Sequence, residues 1–148
     1  GVRIIMDDAR GKIMEKRSLG AVPPSEADAL ANILQIIRSL EEFGAVEFVI
    51  FHGSRSRRMG TKTSDLDICI YYRGKGKELS RFRLKLLSKL PGYCDVQIFQ
   101  QLPLYIRKEV MKKKVIYVKN KRFLHDVALK TIRDFESFKP RYYDYIYR

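Results

Sequence analysis

Apolar and polar positions follow two rhythms along this chain. Leu30, Ile33, Leu34, Ile37 and Leu40 recur at helical spacing. Ser25 after Pro23-Pro24 supplies an N-cap, Asp28 stands near the positive helix end, and Gly44 supplies a stop, so a helix is predicted from 25 to about 44. The rhythm then changes. Residues 45–51 are β-branched and aromatic, which predicts a strand running straight into His52-Gly53-Ser54-Arg55. A second strand is expected at 66–72 and a third at 93–99. Between them, Leu79, Phe82, Leu86 and Leu90 predict a helix over 78–90, ended by Pro91-Gly92. A short helix near 104–111 and a fourth strand at 115–118 follow. The last segment carries Ala128, Ile132, Phe135 and Phe138 on one predicted face, with Pro140 expected to break or kink it. At the other end, 2–6 and 12–16 flank a polar stretch and read as a hairpin. No repeat or linker-like stretch divides this order. The expectation is one α/β (α+β) domain over 1–148: a core of about 26–118 with a mixed sheet of four to five strands and flanking helices, an N-terminal hairpin-like extension and a basic, Tyr-rich helical C-terminus.

Composition narrows the class. A chain of 148 residues, 45% hydrophobic with 9 Gly and 5 Pro, has the make-up of a packed protein rather than a tail or fibre. No run approaches the roughly 18 consecutive apolar residues of a membrane span, and the first residues lack a signal-peptide layout, so no membrane partner and a cytoplasmic location are expected. Cys69 and Cys94 lie in strand-like runs with no His at ligand spacing, which reads as buried free thiols. The net charge is +13, and it is uneven. Residues 1–50 carry 6 basic and 8 acidic groups, 51–100 carry 11 and 4, and 101–148 carry 13 and 5. The excess positive charge therefore lies after residue 50, as expected of a face for phosphate groups, RNA or an acidic protein.

Three carboxylates stand out against this basic background. Asp65 and Asp67, two apart at the start of a strand, project from one face, where their repulsion favours a shared divalent cation. Oxygen ligands beside substrate phosphates suit magnesium. Asp95 lies between apolar neighbours on the next strand, where an unpartnered carboxylate is costly, and a third ligand position accounts for it. In two-metal phosphoryl or nucleotidyl transfer, one ion activates the attacking hydroxyl and the other holds the leaving pyrophosphate. Asp95 is placed on the acceptor side, as ligand, general base or both. Upstream, Gly53-Ser54 is expected at a strand-to-helix junction, offering backbone N–H groups and a hydroxyl to phosphate oxygens.

Gly53-Ser54, ten intervening residues, and Asp65-Leu66-Asp67 together resemble the nucleotidyltransferase superfamily of the DNA polymerase β type, closest to its minimal nucleotidyltransferases. The resemblance spans about 45–118. Two details depart from the common pattern: Arg58 stands where a glycine is frequent, with Gly60 following, and His52 stands where Phe is frequent. The resemblance implies a mixed sheet with flanking helices, ATP as substrate, two magnesium ions and AMP transfer with pyrophosphate release. In the antitoxin branch of that family it implies a tyrosine of a HEPN-domain toxin as acceptor. Carried over by position, Asp65, Asp67 and Asp95 are the catalytic and metal-holding acids, and Gly53, Ser54, Arg55 and Ser64 contact the nucleotide. Other acceptors consistent with the sequence are RNA, through the basic C-terminal two-thirds, or a small molecule. A non-catalytic antitoxin or RNA-binding module is the alternative from a different class.

Overall fold

The computed structural model describes residues 25–54 and 66–146. The expected N-terminal hairpin, Arg55, Ser64, Asp65 and the final Tyr147 and Arg148 lie outside the described residues.

Helix α1 (Glu26–Arg38) starts where the sequence predicts, with the Ser25 side chain accepting the Asp28 N–H at 3.1 Å. It stops earlier than Gly44. Ser39 turns its hydroxyl back onto the Ile36 carbonyl at 2.7 Å, Leu40 is extended, and a 3-10 turn (Glu41–Ala45) leads into the sheet. Strand β1 (Val46–Ser54) is followed by β2 (Leu66–Tyr72), helix α2 (Lys77–Lys89), β3 (Cys94–Ile98), a 3-10 turn (Phe99–Gln101), α3 (Leu104–Val110), β4 (Lys114–Val118) and α4 (Lys121–Ile146). Helix α4 runs through Pro140 instead of ending there. Proline removes one backbone donor, and the turns on either side carry the helix across that gap.

Among the described residues the strands form one mixed sheet in the order β3-β2-β1-β4. β1 pairs antiparallel with both β2 and β4, whereas β2 and β3 are parallel, with α2 as their crossover. Alternation along the strands divides the core in two. Val49, Ile68, Ile70, Val96, Ile98 and Ile116 face α1 and α2, while Phe48, Ile50, Cys69 and Phe99 face Val110 of α3 and Phe123, Leu124 and Val127 of α4. Gln100 extends the pairing past β3: its side-chain oxygen accepts the Tyr72 N–H at 3.3 Å and its amide donates to the Tyr72 carbonyl.

The buried face of α4 overlaps the predicted one only in part: Phe135 is buried as expected and Ala128 is half-buried, but Ile132 and Phe138 lie outside it. Thr131 and Phe135 are buried, and Thr131 satisfies its hydroxyl on the Val127 carbonyl at 2.7 Å. Ile132 (47% exposed) and Phe138 (36%) are not part of the core. A threonine that can bond within its own helix takes the inward position, which hydropathy spacing alone does not anticipate. No helix among the described residues is long and apolar enough to cross a membrane.

Candidate functional site

Three strands meet in one lateral row. Gly53 of β1 is the register partner of Asp67 on β2, and Asp67 is the partner of Asp95 on β3. Register partners on adjacent strands lie about 5 Å apart and project to the same face, so both carboxylates stand on the side of the sheet that carries α3 and α4. Ile68 and Cys94 point the opposite way, into the core against α1 and α2. The row lies at the end of β1 and the start of β2, where the chain enters and leaves the segment containing Arg55, Ser64 and Asp65. Of the predicted acids, the structure therefore brings Asp67 and Asp95 together.

Gly53 and Ser54 do not stand at a helix start. Both belong to β1, opposite Asp67 and Leu66. A register shift between Phe51 and Gly53 bulges the strand at half-buried His52, and Gly53 adopts φ of +150°, which side-chain-bearing residues rarely reach. Among the described residues a Cβ at Gly53 would meet no atom within 4 Å, and the positive φ is the observed reason for glycine there. The backbone is thus bent beside the acid row.

The two carboxylates differ in their surroundings. Asp67 is half-buried, with Oδ1 beneath the molecular surface. Asp95 accepts the Val96 N–H at 2.9 Å on Oδ1 and the Gln97 side-chain amide at 3.3 Å on Oδ2. Arg83 of α2 donates Nε to the Val96 carbonyl at 2.6 Å and brings Nη2 within 3.7 Å of Asp95 Oδ1. Sequence reasoning missed both partners. Gln97 had a signal, because alternation puts it on the Asp95 face; Arg83 had none, since only the crossover of α2 carries it to the β3 edge.

The neighbouring thiols are held protonated. Burial first, and the Asp95 and Asp67 charges next, push Cys94 up to about 12, and burial alone pushes Cys69 up to about 12. Neither offers a thiolate to a cation at neutral pH. The donors in reach are hard carboxylate oxygens, which fit magnesium rather than zinc or copper. Among the described residues this set stops at two acids and forms no larger metal-binding group.

These thiols also set an alkaline limit on stability. Their ordinary value is 9.0, so between pH 9 and 12 the unfolded chain has released protons that the folded one retains. Stability then falls as pH rises, by about 1.4 kcal/mol per pH unit for each thiol. Urea unfolding at pH 7, 9 and 10.5 checks this, and an unchanged midpoint would contradict it.

Comparisons with known proteins bear on the same region. Residues 34–122 match the family model for polymerase β nucleotidyltransferases. A putative protein adenylyltransferase of Methanocaldococcus jannaschii is 39% identical over 70 residues, covering 47% of this chain and 53% of the relative. The match thus spans about half the length of that curated relative. Among solved structures, a chain of a toxin-antitoxin crystal structure with AMP-PNP superposes with a TM-score of 0.61 at 17% identity, covering 80% of this chain and 95% of that one. A chain from the complex of a tri-AMPylated Shewanella oneidensis HEPN toxin with its MNT antitoxin superposes at 0.59 and 18% identity, with the same coverage. At these identities the structural likeness speaks for the fold alone. The family match covers more than half of the sequence, including the bent Gly53 strand and both row acids: this chain belongs to the polymerase β nucleotidyltransferase family.

Proposed function

We propose that this protein is a magnesium-dependent nucleotidyltransferase that moves AMP from ATP to a hydroxyl, and that its acceptor is a tyrosine of a HEPN-type toxin, making it an antitoxin. The observation that carries the reading is the register row: Asp67 and Asp95 share one face at the strand ends, and the bent backbone at Gly53 stands in line with them. The choice of acceptor is supported by the adenylyltransferase named among the relatives and by the toxin-antitoxin complexes that share the fold.

In this reading residues 26–118 are the catalytic core of one domain. Asp65, Asp67 and Asp95 would hold two magnesium ions, which would neutralise phosphate charge and ease loss of the acceptor proton. Gly53 lets the β1 backbone approach the phosphates, with Ser54, Arg55 and Ser64 as further contacts to the nucleotide. Asp95 takes the hydroxyl proton. The acceptor oxygen then bonds to the α-phosphorus, the bond from that phosphorus to the β-bridging oxygen breaks, and pyrophosphate leaves with the electron pair. AMP ends on the acceptor oxygen.

Adding the protein with Mg²⁺ and α-labelled ATP to a lysate of its host tests this. Protein-bound label on tyrosine that disappears with Asp67→Asn is expected. Nuclease-sensitive label would move the acceptor to RNA, and no label in any fraction would overturn the catalytic reading.

A further inference from the structure

Among the described residues β3 is an edge strand of the sheet, with β2 on its one paired side. Arg83 and Asp95 close that edge together. The Asp95 carboxylate accepts the Val96 N–H while the Arg83 Nε donates to the Val96 carbonyl, so the two side chains engage both backbone polar groups of Val96. One of the two remaining guanidinium nitrogens, Nη2, then sits 3.7 Å from Asp95 Oδ1, in a pair of which each member is about one-third exposed. Gln97 steadies the other oxygen. An Asp side chain has two torsions, and a carboxylate beside Asp67 is pushed away from it by like charge. The Arg83 guanidinium sets a positive charge beside Asp95 that offsets the cost of this repulsion, and its Nε ties that charge to the β3 backbone.

We propose that Arg83 is a positioning residue for Asp95: anchored through Nε on the β3 backbone, it holds the carboxylate in one rotamer on the sheet face it shares with Asp67. Arg83 touches neither nucleotide nor acceptor in this assignment. The inference rests on the acid row as the metal-holding site. Partners of this kind, one step behind a ligand, change metal affinity by about 10- to 100-fold when removed. Lysine is no substitute, since one ammonium cannot serve the Val96 carbonyl and the carboxylate in the guanidinium's fixed fork.

The decisive measurement needs no metal. Three-bond Hα–Hβ couplings of Asp95 report whether its χ1 angle occupies one rotamer, and an amide fingerprint spectrum of the same sample reports the fold. Wild type is expected to show one rotamer, and Arg83→Met an averaged value with the fingerprint retained; Arg83→Lys, the smaller change, covers the case in which the methionine variant fails to fold. In parallel, Mn²⁺ titration followed by electron paramagnetic resonance is expected to show about tenfold weaker binding in the variants. A single Asp95 rotamer in a folded variant, or wild-type Mn²⁺ affinity in it, would overturn the proposal. If wild type itself shows no Mn²⁺ binding that depends on Asp67, the metal reading of the site fails, while the couplings still decide whether Arg83 holds Asp95.

Discussion

If the proposed AMP transfer is this chain's reaction, Asp67→Asn is expected to lower it by at least about a thousandfold while leaving the fold unchanged. The substitution keeps size and shape but removes the charge at the centre of the row, between Gly53 on β1 and Asp95 on β3. A correctly held cation contributes several kcal/mol to the transition state of phosphate chemistry. At about 1.4 kcal/mol per factor of ten, loss of that contribution gives at least three decades. Thermal stability should hold or rise slightly, because a carboxylate facing a second carboxylate costs free energy when no cation is bound. Single-turnover transfer rates beside melting curves separate the two effects. Transfer within tenfold of wild type would remove Asp67 from the mechanism.

Phe48→Ala should cost about 3–5 kcal/mol of stability, a large part of the roughly 5–15 kcal/mol that holds a domain of this kind folded. Phe48 is fully buried in β1 beneath α3 and α4. Its ring meets Tyr71 at 5.3 Å and stands edge-on to Phe99 at 5.6 Å, and Tyr71 in turn meets Phe123 of α4 at 5.0 Å. Removing it opens a cavity where β1, β2 and α4 join, and aromatic neighbours fixed on three elements cannot collapse into it. Chemical denaturation measures the loss; a change below about 1 kcal/mol would mean that the cluster repacks.

The strands were legible because 46–51, 66–72 and 94–98 are dense in β-branched and aromatic residues, and Asp95 was legible because a carboxylate among apolar strand neighbours needs a reason. The directions of pairing were not, since periodicity says which face a residue takes and not which strand lies beside it. That is why Gly53-Ser54 was expected at a strand-to-helix junction, whereas the structure keeps it within β1, opposite β2. Helix ends were misjudged for local reasons: Ser39 folds its hydroxyl back and closes α1 before Gly44, and Pro140 is carried inside α4. The partners of Asp95 divide along the same line. Gln97 is two residues away and follows from alternation, but Arg83 is twelve residues upstream, and only the crossover joins them.

That crossover also orders events in time. The Gly53–Asp67 contact is made by neighbouring antiparallel strands, but Asp95 reaches the row only when β3 docks parallel to β2 after α2 has been laid across the sheet. Parallel pairs close longer loops and form late in folding. During synthesis, the acid row therefore stays incomplete until the chain has emerged past Ile98, when the helices that cover its face, α3 and α4, are still to be made. A chain halted before β3 would carry Gly53 and Asp67 side by side and lack Asp95.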